Sequence, residues 1–556
     1  MTSADLQARL AQAQRLLANG DLDGACALLE ATLQAAPDEP NTLHMLAALK
    51  QRGGDHAGAL RLFDEATRRA PGAAPFHFNR ANLLLEMGRF ADAFDGYEAA
   101  LKLRRQHAES WRNRARALRE LARTEEALAS SEEALRLAPH DPAAHYERAL
   151  ILSSLQRFPE AAAEFGFVAS AQPANAEAHF NHARMLQELD RLQEALAAYE
   201  RAAALDPKNA GIQHNRAVLL FWLGRRDAAM AAFDASLAQR PAHVETLYSK
   251  GVAYLAFGEL AEGWPLHALR REPASPIAIE DLSRGEREWK GERVGVLRLW
   301  REQGVGDEVL FARLARLTSA HADRVVLECG ERLVPLFTRS FPELQVCAPG
   351  EAPAADAQCP TGGVGRFVAP GADALGDGAA YLRADAQRRA ELRARYERQA
   401  DGRPIVGIAW ASTNPRLGGH KSAALSEWGA LLERDCLFVS LQYGDAAGEI
   451  AAAAALLGAT IIADPDVDQL ASLDDFAAQV AAMDSVMSIS NTTVHIAGAL
   501  GTPCVALVPP AQGLLWYWGV TGEATPWYQS VRLARRAPEE GWAAQVARAA
   551  KMLPVW

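Results

Sequence analysis

Three short polar stretches carry the side chains that could do chemistry, and each closes an apolar run. The first is Gly304-Val305-Gly306-Asp307-Glu308, on the loop after the run 294–300. Its glycines would let another molecule approach the backbone and would leave the Asp307 carboxylate at whatever enters. The same aspartate could also cap the following helix. The second stretch, 412–422, follows the run 404–410 and holds Ser412, Asn414, Arg416, His420 and Lys421. A polar loop with two cations suits a phosphate or pyrophosphate, although a solvated loop has the same look. The third is Asn491-Thr492-Thr493, between the run 485–490 and a small-residue segment 494–500 that Gly501-Thr502-Pro503 stops. An apolar run follows at 504–508. That order is strand, turn, helix, strand. Free N–H groups at the helix start would face past the strand end, where a phosphate can be received at Thr492 and Thr493. His495 could reach that anion or simply pack in the helix. An ordinary βα turn with a Thr cap is the bland reading.

Positioning three such loops takes parallel sheets. From residue 294, short apolar runs alternate with helical ones, at 294–300, 324–328, 344–347, 404–410, 437–443, 460–464, 485–490 and 504–508. This alternation predicts parallel sheets covered on both faces. Residues 349–377 are rich in Gly, Pro and Ala and resist assignment. A helix over 386–399 is expected to cross between two lobes, 294–385 and 386–556, whose strand ends would face a shared cleft. Tyr443-Gly444-Asp445 ends one strand of the second lobe. The aromatic runs 514–519 and 526–528 could stack on a ligand or bridge the lobes.

The first half is different. Pro37, Pro71, Pro139, Pro173, Pro207 and Pro241 lie on a grid of 34 residues, with Arg105 at the missing point. Gly20, Gly54, Gly88, Gly224 and Gly258 keep the same period, with Ala122, Gln156 and Asp190 in the gaps. Two further small-residue series, Ala13 onward and Ala25 onward, let paired helices pack closely. Seven repeats and an eighth first helix fill 1–258, and a charged, proline-bearing connector spans 259–293. One repeat position holds Asn79, Asn113, Asn181 and Asn215, broken by Glu147. Each amide offers a donor and an acceptor, so a row of them could hold an extended peptide. They could instead bond only their neighbouring helices.

The composition excludes several classes. With 49% hydrophobic and 23% charged residues over 556 positions, the chain is globular. A net charge of −11 argues against dedicated nucleic-acid binding. No apolar run reaches the length of a membrane span, and the first residues lack a signal-peptide core. Six scattered cysteines predict a reduced, cytoplasmic protein without a structural metal. No Asp-x-Asp pair stands in a convincing loop. Asp464-Pro465-Asp466 reads as a turn, so no metal and no cofactor are expected.

The 34-residue grid resembles the tetratricopeptide repeat (TPR), which implies an all-α superhelix. Its asparagine series resembles the ladder that holds the acceptor polypeptide in the TPR domains of protein O-glycosyltransferases. The segments EQGVGDEVLFARL, GIAWASTNPRLGGHKSAALSEW, FVSLQYGD and SNTTVHIAGALGTPCVALVP resemble GT-B glycosyltransferases related to lipopolysaccharide heptosyltransferases. Bacterial TPR-fused members, flagellin-glycosylating enzymes among them, are similar over nearly the whole chain. The resemblance implies a multidomain protein, a TPR superhelix followed by an α/β GT-B fold of two facing Rossmann-like lobes. It implies Asp307 as the base and Lys421 on the donor phosphate. Asp445 would then meet the donor's ribose or base, and Gly304 and Gly306 the acceptor. The implied reaction moves a sugar, pseudaminic or legionaminic acid, from a nucleotide donor to Ser or Thr of a protein such as flagellin. Many relatives have an acidic pair member where this chain has Ser490-Asn491. A neutral pair favours an acidic sugar or a CMP donor. A glycan-directed transferase and a non-enzymatic adaptor are the alternatives.

Overall fold

The computed structural model describes residues 2–275, 277, 279–302, 304–414, 417–537 and 540–554. It divides into two compact units, one of residues 1–189 and 193–205, the other of 190–192 and 206–556.

The first unit is all helical. Antiparallel pairs follow the sequence grid, beginning with Ser3–Ala18 and Leu22–Ala35. The small residues do what the pattern asks: Ala13, Ala47, Ala81 and Ala115 of the first helices, and Ala25, Ala59, Ala93 and Ala127 of the second, are 0% exposed. The turns share one backbone shape. Gly20, Gly54 and Gly88 are left-handed, and so are Ala122, Gln156 and Asp190, at φ of 57°, 58° and 56°. A side chain there costs energy that glycine avoids. Gln156→Gly is therefore expected to stabilise the repeats by about 0.5–1 kcal/mol, read as a higher urea midpoint for loss of helical circular dichroism. Where the grid lacks a proline, the helix Phe90–Leu103 still stops two residues before Arg105. Proline marks these helix ends without being required for them.

The second unit opens with further repeat helices. Here the structure corrects the expected boundary at 258. The eighth repeat has its second helix, Leu260–His267, followed by a 3₁₀ turn, Ala268–Arg271. Leu260, Gly263, Trp264 and His267, at helical spacing, are its buried face. It packs so tightly on Val244–Ala256 that a Cβ on Gly251 would lie 2.5 Å from that of Leu266.

Two parallel sheets follow. In the first, β1 (Val294–Trp300), β2 (Ala322–Glu328), β3 (Gln345–Cys347) and β4 (Ala357–Pro360) lie in the order β3-β2-β1-β4. Strand β4 falls in the unassigned stretch; four residues with no flanking period give little signal, and burial on both faces makes them a strand. In the second, β5 (Ile405–Ala409), β6 (Leu437–Ser440), β7 (Ile461–Ile462), β8 (Ser485–Ile489), β9 (Cys504–Val508) and β10 (Val531–Arg535) lie in the order β10-β9-β8-β5-β6-β7. Strand β10, absent from the sequence reading, lies at the sheet edge with Val531, Leu533 and Ala534 buried and Arg532 exposed. All pairings are parallel. Chain order reverses between β1 and β4 and between β5 and β8. Such switch points open a crevice beyond the carboxyl ends of the strands.

Candidate functional site

The loops after β1, β5 and β8 leave at these switch points, and all three line one cleft of about 720 Å³. The first contributes Gly304, Gly306 and Asp307, the second Ser412, Asn414 and Lys421, the third Asn491 and Thr492. Tyr443 and His495 also line it.

Asp307 lies in the first turn of the helix Val305–Leu317, and its side chain does not cap that helix. Part of its surface opens to the cleft; the rest is packed in protein. Burial pushes its carboxyl up to about 7, with the Glu302 charge adding and Lys421 and Arg270 opposing. Lys421 ends the short helix Gly418–Lys421 and is 6% exposed. Burial lowers its ammonium from the ordinary lysine value, and Asp307 opposes that shift. Among the described residues neither side chain has a hydrogen-bond partner. A poised base and a buried cation thus share one solvent-accessible space.

The anion end is built by Asn491. Its Oδ1 accepts from the Thr493 amide at 3.0 Å and from Ser488 Oγ at 2.9 Å, capping the helix Thr492–Leu500. Its Nδ2 is buried, with no partner among the described residues. The neighbouring Ser490 Oγ accepts the Trp518 indole N–H at 2.7 Å. An oxygen anion bound in the cleft would meet the Thr492 amide and Lys421, both on its lining.

Several expected contacts are corrected. Thr493 is fully buried, its N–H taken by the cap, and it is not on the cleft lining. His420 is also off the lining, one turn position short of Lys421. Asp445 is exposed and accepts from the Ala447 amide at 3.1 Å, bracing the next helix instead of a ligand. Arg416 lies outside the described residues. His495 is a packing residue: it stacks on Trp518 (5.1 Å, 24°) and pairs with Tyr528 Oη at 2.9 Å. Burial, helped by the Lys421 charge, pushes it down to about 3. That ring gives Gly306 its reason. A Cβ there would lie 3.0 Å from His495 Cδ2, whereas one on Gly304 would meet nothing within 4 Å. Of these two glycines, Gly304 is the one that leaves open backbone for a ligand.

Each amide of the asparagine ladder makes a bond within the repeats. Asn79 Nδ2 pairs with His44 Nε2 (2.8 Å), Asn113 Nδ2 donates to Asn82 Oδ1 (2.9 Å) and Asn181 Nδ2 to Tyr146 Oη (2.9 Å). Asn215 Nδ2 donates to Gly211 O at 2.9 Å. Three of these donors bind a side chain of the preceding repeat and that of Asn215 binds its own helix, each bond using one of the two N–H groups of the amide. The arginine series behaves likewise, with Arg80 on Asp64 and Arg114 on Glu98.

Sequence reasoning passed over Tyr248, His267 and Glu302, which line the cleft, and Arg270 behind it. Helical spacing from Leu260 to His267 was the available signal for that segment.

Comparison with known proteins bears on the repeats. Tetratricopeptide repeat models match residues 44–108, 78–142, 112–166 and 146–210, and a second such model matches 186–251. The chain carries these repeats. It is 34% identical over 311 residues to protein FlbA of Caulobacter vibrioides, covering 51% of each chain. It therefore spans about half the length of that curated relative. Among solved structures, YrrB, a TPR protein with an unusual peptide-binding site, is similar at 23% identity, covering 34% of this chain and 97% of that one, with TM-score 0.31. A TPR protein of Parabacteroides merdae is similar at 17% identity (45% and 99% covered, TM-score 0.36). Among the described residues, no helix is long and apolar enough to cross a membrane, and no cluster could hold a metal ion.

Proposed function

We propose that this chain is a protein O-glycosyltransferase with a GT-B catalytic region, its repeats serving to recruit a protein acceptor such as flagellin. One observation carries the reading: Asp307 from the first sheet and Lys421 from the second meet on one cleft beside the start of the Thr492 helix. In this reaction a Ser or Thr hydroxyl of the acceptor attacks the anomeric carbon. Its proton passes to Asp307 as the bond to the nucleotide breaks. The negative charge left on the phosphate goes to Lys421 and the Thr492 amide. The sugar we favour is an acidic one of the nonulosonic type on a CMP donor. Ser490 and Asn491 bring no carboxylate to repel it. Titration calorimetry with CMP, UDP and ADP tests this choice; binding of UDP and ADP without CMP would exclude it.

The helix contact at Gly306 gives a separate test. Gly306→Ala is expected to push the Asp307 helix off His495 and to lower transfer about 10–100-fold, with donor affinity changed far less. Initial rates and calorimetry on the full chain would check it. Equal rates would mean that this spacing does not matter.

A further inference from the structure

The second helix of the last repeat reaches the site by a continuous buried chain. Tyr248 stacks near His267, with centroids 5.9 Å apart and planes at 23°. Arg270 Nη1 donates to His267 O at 2.8 Å. Its Nη2 donates to both Glu302 oxygens, at 2.6 and 2.7 Å. Both side chains of that pair are 1% exposed. Glu302 belongs to the loop after β1, which continues through Gly304 to Asp307. The pair is also walled in: a Cβ on Gly362 would lie 2.5 Å from Glu302 Oε2 and 2.9 Å from Arg270 Nη2. On the same segment, Trp264 packs on Gly365, and its indole N–H donates to Ala369 O at 2.9 Å.

A buried ion pair is a poor source of stability, since apolar residues of equal volume serve as well or better. This one needs another reason to be here. We propose that Arg270 and Glu302 are positioning residues for Asp307, so that the end of the repeat array is a working part of the transfer site. The inference rests on Asp307 acting as the base. The bidentate fork fixes where the β1 loop turns, and hence where the Asp307 helix starts. It also places a negative and a positive charge behind Asp307. Among the described residues, Lys421 and Glu308 also act on that carboxylate, and Glu280 lies on the same cleft. Tyr517 is neutral, kept so by burial and by Asp307.

The sign follows from these charges. Glu302 disfavours ionised Asp307, and Arg270 favours it less strongly. Glu302→Gln should therefore move the acidic limb of the rate–pH profile to lower pH. Arg270→Met with Glu302→Leu removes both charges and should move it the same way by less. With the fork gone, the double variant should also turn over at least tenfold more slowly, while keeping nucleotide affinity and a cooperative melt. The experiment is the pH profile of transfer for the full-length wild type and both variants, with Asp307→Asn as control. A limb that stays at the wild-type pH in the folded double variant overturns the proposal. If Asp307→Asn keeps wild-type transfer, the assignment of the base fails instead.

Discussion

Asp307→Asn is expected to lower transfer about 100- to 10,000-fold while donor affinity changes little. Asparagine keeps the shape but cannot take a proton from the acceptor hydroxyl. The wild-type profile should carry the signature of the same group. With its carboxyl pushed up to about 7, a base at Asp307 would be protonated and idle below that pH and active above it. Rates should therefore rise through pH 7 and level off, and this limb should vanish from whatever activity Asp307→Asn retains. A surface aspartate would place the limb near 4. The upward displacement comes first from burial and second from Glu302.

Lys421→Ala is expected to lower turnover by a factor of about 100–1,000 and to weaken nucleotide binding as well. The cation is buried on the cleft wall, where little water competes with a phosphate for it. Its loss would also remove a charge that favours ionised Asp307, so the acidic limb should move to higher pH. That is opposite to the shift expected for Glu302→Gln. Lys421→Arg should rescue poorly, because a planar guanidinium does not fit a pocket shaped for a compact ammonium. Rates and nucleotide titrations of the three proteins side by side would separate lost binding from lost chemistry.

The sequence carried most of the frame. A 34-residue period in Pro, Gly and Ala leaves little freedom once small residues must interlock, as Ala81 does with Gly96, where an added Cβ would lie 2.8 Å from Ala81 Cβ. The loops after β1, β5 and β8 were legible as polar turns behind apolar runs, and the sheet order brings them together. What was not legible depends on partners distant in the chain. Nothing local shows that Gly306 faces His495, or that Arg270 pairs with Glu302 across 32 residues. Strand β4 was missed in a stretch rich in Gly, Pro and Ala, and edge strand β10 because Arg532 and Arg535 interrupt its apolar residues. The internal partners of the ladder were not legible either, because an amide in register looks the same with or without a bond to His44 or Tyr146.

The most direct measurement is the intact mass of flagellin from cells lacking this protein, complemented with the wild type or with Asp307→Asn. The account predicts flagellin lighter by whole sugar residues in the deletion strain, restored by the wild type and not by Asp307→Asn. Restoration by both would make the protein an adaptor, and an unchanged mass in the deletion strain would remove flagellin as its acceptor.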